Sequence, residues 1–197
     1  MEYLEAAFLI RRLHRVDQNA RRFKKQTHFK VYLTNPSLRA ALFGAIKPDD
    51  ENMGRLAETA IVSQFAHSAS FQDLSYARWN AGEVDLVWSI PNSQQVGMTL
   101  EIKWSDRAPQ HPDEELKALL KFCLKTGAVK DCWISTKSVR DQQFVQGVEL
   151  KFFPAAEICL VISRELVDEK LVKGGHPLTG LQFRSVDRVE SRKAVRR

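Results

Sequence analysis

Cysteine is scarce: Cys123, Cys132 and Cys159 lie inside apolar stretches, form no Cys-x-x-Cys pair and have no clustered histidines beside them. That excludes a disulfide framework and a cysteine zinc site, and it predicts reduced core thiols. No window reaches the roughly 18 consecutive apolar residues a spanning helix needs. The start "MEYLEAAFLIRR" carries acids where a secretory leader would carry basic residues. The expectation is a cytoplasmic protein with no membrane partner. No G-x-x-x-x-G-K-[ST] stretch occurs, so the chain has no evident ATP site. The histidines, His14, His28, His67, His111 and His176, are scattered, with none at ligand spacing. There is no internal repeat and no low-complexity tract.

What is present suits one folded domain: 197 residues, 44% of them hydrophobic, can bury a sizeable core. The net charge of +6 is unevenly spread, with −2 in residues 1–10, +7 in residues 11–30, −3 in residues 31–183 and +4 in residues 184–197. Two readings of the basic ends stand side by side. Lysine and arginine there can attract phosphate backbones through counterion release, or they can be solvated tails. The expected organisation is a basic segment over residues 1–30, a folded body over 31–183 and a basic tail over 184–197.

The apolar spacing predicts a helix in "YLEAAFLIRRL" passing into a strand in "FLIRRLHRV", then a mobile linker in "NARRFKKQTH". "KVYLT" reads as a strand feeding a short helix, capped by Asn35, opened by Pro36 and stopped by Gly44. A longer helix over "MGRLAETAIVSQFAHS" puts Leu56, Ala60 and Phe65 near one stripe and Glu58 on an early turn. "LSYARW" and "GEVDLVWSI" form a hairpin around Asn80, Ala81 and Gly82, with Gly82 available for a positive φ, and "GMTLEIKW" completes a three-stranded meander. "HPDEELKALLKFCLKTG" is one helix from Pro112 to Gly127, "VKDCWISTK" a strand, and "VELKFFPAAEICLVIS" further β material broken at Pro154. Trp79, Trp88, Trp104 and Trp133 fall on predicted strands, as core residues rather than base-stacking platforms. The sum is a mixed α/β domain.

One stretch carries chemistry. Alternation on a strand sends Glu101 and Lys103 to one face and Leu100, Ile102 and Trp104 to the other. The same rule pairs Val84 with Leu86 on one face of the preceding strand and leaves Asp85 on the other, opposite Glu101. Two carboxylates placed directly across a strand pair repel unless a cation lies between them or one is protonated. Hard oxygen ligands suit Mg²⁺ or Mn²⁺, with Lys103 free to orient a metal-bound water. The plainer alternative is a water-facing sheet surface on which Glu101 and Lys103 make a weak ion pair, and Glu58 has the plain alternative of a solvent-facing helix residue.

Asp85, followed by Glu101-Ile102-Lys103 on the next strand and preceded by Glu58 on a helix, resembles the PD-(D/E)XK signature of restriction-endonuclease-like nucleases. The resemblance implies a restriction-endonuclease-like core, a central mixed sheet flanked by helices. It implies Asp85 and Glu101 as metal ligands, and Lys103 and Glu58 as catalytic residues acting on DNA or RNA. Val84 stands where the signature has proline. Over most of the chain, "YLEAAFLIRRL", "KVYLTNPSLRAALFG", "GRLAETAIVSQ" and "LEIKWSD" resemble the carboxy-terminal region of prokaryotic AAA-type ATPases, where a nuclease-fold domain of unknown function follows a winged helix. That resemblance makes residues 1–30 a winged-helix remnant and basic linker. Its competing implication is an inactive nuclease fold that docks a protein partner or forms a homodimer.

Overall fold

A computed structural model describes residues 1–25, 27–67, 73–93 and 95–171, so the basic tail expected over 184–197 lies outside the described residues. Among them an eight-stranded mixed sheet runs through the centre, in the spatial order β2-β1-β3-β4-β5-β6-β8-β7. The strands are β1 (Ile10–Val16), β2 (Phe29–Leu33), β3 (Leu74–Trp79), β4 (Gly82–Ser89), β5 (Val96–Glu101), β6 (Cys132–Thr136), β7 (Asp141–Val145) and β8 (Val148–Pro154). The helices are α1 (Glu2–Ala6), α2 (Pro36–Phe43), α3 (Met53–Ala66), α4 (Pro112–Glu115), α5 (Lys117–Thr126) and α6 (Ala155–Leu171). The strand pairs β1/β3, β5/β6 and β6/β8 are parallel, and the remaining neighbours are antiparallel. The expected mixed α/β architecture is present.

The core has two halves, one on each face of the sheet. On the first, Ile61, Val62 and Phe65 of α3 and Ile158 and Ile162 of α6 cover Leu13, Leu86, Trp88, Met98 and Leu100. On the second, Leu119, Leu120, Phe122 and Cys123 of α5 cover Val16, Val84, Val87, Ile134 and Phe152. With helices on both faces the central strands are apolar on both sides, and this is why β6 is buried along its whole length.

Several local expectations hold. Asn35 accepts a hydrogen bond from Ser37 N at 2.8 Å to cap α2, and Gly44 and Gly127 take positive φ at the ends of α2 and α5. Cys123 and Cys132 are buried free thiols. Trp88 and Trp133 are buried core residues, and Trp79 and Trp104 pack against the core.

Others need correction. "AAEICLVIS" is the start of α6 rather than a strand, because Ala155, Ile158 and Ile162 recur at helical spacing and dock on the sheet. The single helix expected over residues 112–127 breaks at Leu116, whose buried side chain is anchored between α4 and α5. The stripe on α3 is Ala57, Ile61 and Phe65, with Leu56 and Ala60 only half-buried. Gly82 needs no positive φ; a Cβ there would lie 2.8 Å from Ala118 Cβ and from the Trp79 ring. β7 has no counterpart in the expected elements, and it is joined to β8 by a Gln146-Gly147 turn in which both residues have positive φ. The boundary expected at residue 30 runs through one sheet, since β1 pairs with β2 on one side and β3 on the other.

Two irregularities shape the meander. Between Ser75 and Ala77 of β3 the partner residues step from Val87 to Val84, so β4 carries one extra residue at Asp85-Leu86. Between Trp88 and Ser89 of β4 the partners step from Met98 to Val96, so Gly97 is the extra residue on β5. A Cβ on Gly97 would meet the Trp88 ring at 2.4 Å. Gly97→Ala is therefore expected to lose about 1–3 kcal/mol of stability through overpacking, read from urea unfolding monitored by tryptophan fluorescence.

Candidate functional site

The extra residue in β4 determines where Asp85 points. Val84 belongs to the core under α5, whereas Leu86 belongs to the core under α3 and α6, so the two do not share a face as plain alternation requires. The bulge turns Asp85 toward α3 and β2. Glu101 follows Thr99, whose hydroxyl lies 3.5 Å from Cys123 Sγ of α5, and so belongs to the other side of the sheet. The two carboxylates approach one another where the end of β5 meets the bulge inside β4, rather than standing on one flat face.

Asp85 Oδ2 accepts the Ile102 backbone N–H at 2.9 Å, which ties the first carboxylate to the backbone of the Glu101-Ile102-Lys103 segment. Lys103 Nζ lies 3.0 Å from Glu101 Oε1. Glu101 Oε2 is buried and accepts no hydrogen bond. The Lys103 backbone is held from both ends by Ser135 of β6: its N–H donates to Ser135 Oγ at 2.8 Å, and the Ser135 hydroxyl donates to its carbonyl at 2.8 Å.

On the α3 side stands Lys30 of β2. Its ammonium lies 3.3 Å from Glu58 Oε1, 3.3 Å from Asp85 Oδ1 and 2.6 Å from Glu83 Oε1, with the Tyr76 ring centroid at 5.3 Å. The Tyr32 hydroxyl donates a short hydrogen bond to Glu58. Arg78 Nε reaches Glu83 from the outside at 3.4 Å. The structure thus gathers all the expected site residues, Glu58, Asp85, Glu101 and Lys103, around one end of the meander and adds Lys30, Tyr32, Glu83 and Ser135. Sequence reasoning missed Lys30 and Tyr32: they alternate on β2 with Phe29 and Val31, and only the structure shows the polar pair facing inward while Phe29 and Val31 are exposed. A short strand with its apolar residues outside has an inner face selected for something other than packing.

The electrostatics follow from burial. Glu101 is pushed up to about 7, first by burial and then by the negative charge of Asp85, with Lys103 pulling the other way. Burial also raises Asp85, against the pull of Lys30 and the Ile102 N–H. Burial alone would lower Lys30, but Asp85, Glu83 and Glu58 outweigh it and hold the ammonium above its usual range. Four carboxylates share two lysines here, with Arg78 at the rim. The cluster is short of positive charge.

Among the described residues no three His, Cys, Asp or Glu side chains are close enough to cage an ion by themselves. The donors present nevertheless fit a divalent ion of the Mg²⁺ type, which takes one or two carboxylates and keeps water or substrate phosphate for its other ligands. The unpartnered Glu101 Oε2 and the second lone pair of Asp85 Oδ2 are the oxygens available to it.

A family described as Domain of unknown function (DUF8612) matches residues 1–49, about a quarter of the chain. The matched stretch covers α1, β1, β2 and α2, so it contains Lys30 and Tyr32 but not Asp85, Glu101 or Lys103. No curated protein and no solved structure matches the chain.

The pH dependence has a definite sign. Because the folded state holds the Glu101 proton up to about 7 while an unfolded glutamate releases it near 4.5, unfolding loses a proton between those values and stability falls as pH rises through them. In EDTA, Glu101→Gln is expected to abolish that fall and to exceed the parent protein at pH 8 by on the order of 2 kcal/mol. Urea unfolding at pH 5 and pH 8 measures it.

Proposed function

We propose that the chain is a metal-dependent nuclease of the restriction-endonuclease-like type, hydrolysing phosphodiester bonds in DNA or RNA. One observation carries the reading: Asp85 at the bulge of β4 and Glu101 at the end of β5 converge with Glu101 Oε2 buried and unpartnered, beside the Lys103 ammonium. Asp85 and Glu101 would hold Mg²⁺ or Mn²⁺. The ion, when bound, supplies Lewis-acid polarisation of the phosphate and a water of lowered pKa. Lys103, fixed through Ser135 and held as an ammonium by Glu101, would place a cation where charge develops on the phosphate and can orient the attacking water by donating a hydrogen bond to its oxygen. Glu58 lies across Lys30 from Asp85 and shapes the α3 side of the site.

The nucleic-acid partner is supported by the neighbouring surface. Arg15, Phe23, Lys25, Thr27 and His28 line a cavity of about 160 Å³ just before Lys30 in the chain. Arg15 stacks its guanidinium on Phe23, with 5.1 Å from the guanidinium carbon to the ring centroid, and donates to the Arg78 carbonyl at 2.9 Å. Cations with an interleaved aromatic suit a phosphate backbone and a base. The protein lies away from membranes in this reading, in the cytoplasm; among the described residues no helix is long and apolar enough to cross one.

The second reading, an inactive fold that docks a protein partner or a second copy, is favoured by one observation: Tyr3, Phe8, Leu42 and Phe43 are exposed on α1, the turn after it and the end of α2. The two readings separate by experiment. Mn²⁺ titration followed by calorimetry is expected to show binding that Asp85→Asn abolishes, and Lys103→Ala is expected to reduce cleavage of a plasmid or a single-stranded oligonucleotide at least 10²-fold. Heat signals equal in the parent and Asp85→Asn proteins would sink the nuclease reading.

A further inference from the structure

Lys30 stands in none of the positions that the signature motif assigns, yet it is the most heavily engaged cation of the site. Its ammonium faces three carboxylates on two elements: Glu58 of α3 at 3.3 Å, and Glu83 at 2.6 Å and Asp85 at 3.3 Å on β4. The ammonium lies 5.3 Å from the Tyr76 ring centroid, and Tyr32, two residues along the same strand, holds Glu58 in place by a hydrogen bond. One monovalent group therefore serves three carboxylates at once.

Asp85 is divided between two cation positions. Oδ1 faces Lys30, while Oδ2 accepts from Ile102 and lies on the side of Glu101. In two-ion phosphodiesterase sites the ions lie about 3.5–4 Å apart, one near the attacking and one near the leaving oxygen. Here the oxygen pair Glu58 Oε1 and Asp85 Oδ1, where one of two such ions would bind, is already bridged by Lys30.

We propose that Lys30 is a built-in second cation, an ammonium tethered on β2 that occupies the position between Glu58 and Asp85 and limits the site to a single divalent ion. The inference rests on the nuclease reading for what the site does, but not for what occupies it. A tethered ammonium is not lost to chelators or dilution. It offsets part of the negative charge of Asp85, Glu83 and Glu58 in the absence of divalent ions and stands on the α3 side where a phosphate oxygen would arrive.

The test counts ions. Metal-stripped full-length protein is titrated with Mn²⁺, and free Mn²⁺ is read by electron paramagnetic resonance. The parent protein is expected to bind one ion per chain. Lys30→Met is expected to bind two, with the second lost again on adding Glu58→Gln. Since Lys30→Met alone leaves Glu58, Glu83 and Asp85 without their shared counter-ion and can fail to fold, Lys30→Met combined with Glu83→Gln keeps the net charge and serves as the second variant. A parent protein that binds two ions, or variants that bind one with the parent affinity, would overturn the assignment of Lys30 and leave the nuclease reading intact. No ion on the parent but one on the Lys30 variants would refute the nuclease reading and uphold Lys30 as the occupant. No ion on any of them overturns both.

Discussion

The constraint on which the site depends is the cost of holding Asp85 and Glu101 together under the protein surface. Their side chains are only 18% and 12% exposed, so water screens them weakly; burial raises both, and the charge of Asp85 adds to the cost of ionising Glu101. A fold keeps such a pair only with cations close by. Lys103 serves Glu101, Lys30 serves Asp85, and the arrangement still leaves Glu101 Oε2 without a partner. The residual shortage of positive charge is what connects the geometry to metal chemistry, because a divalent ion removes it in one step and brings its own water.

The rest of the structure makes that convergence rigid. The bulge in β4 swings Asp85 out of the alternation its neighbours obey, and the Ile102 N–H then fixes it against the end of β5. Ser135 of the fully buried β6 clamps the Lys103 backbone, so the lysine projects from a point that cannot drift. On the opposite side β2 is held to β1 in regular antiparallel register, and this carries Lys30 and Tyr32 up to α3. The two halves of the core pack the sheet from both faces, so site residues drawn from β2, α3, β4 and the end of β5 are referred to one frame. Elements far apart in the chain supply one acidic cluster with its lysines, and sites built on sheet and helix hold their geometry better than sites built on loops.

Much of this was legible in the sequence, for reasons that differ from residue to residue. Asp in a strand interior and Glu-x-Lys two apart announce themselves because those residues are poor strand material. The expected strand through Trp104 stops at Glu101, so Lys103 is placed by its backbone bonds to Ser135 rather than by strand alternation. The Asn35 cap, Pro36 and the Gly44 and Gly127 stops could be read because they act within one turn of chain. What alternation could not supply was the bulge, since the extra residue in β4 is defined only by its partner β3, and so Val84 and Leu86 were expected on one face. Lys30 was hidden for a similar reason. Within a run of basic residues it looks like one more solvated charge, and only the pairing of β2 with β1 brings it to Glu58 and Asp85. The start of α6 was misread because an apolar run of that length fits a buried strand and a buried helix equally well. Tertiary packing, not local preference, decided it.

The central claim is that the Asp85–Glu101 junction is a cation site completed by a single divalent ion. Anomalous diffraction at the manganese edge from crystals grown with Mn²⁺ tests it most directly. The account predicts one peak in coordination contact with Asp85 Oδ2 and Glu101 Oε2, with the Lys30 ammonium still between Glu58 and Asp85. Crystals in Mn²⁺ with no peak at that junction, and Glu101 Oε2 still without a partner, would contradict it.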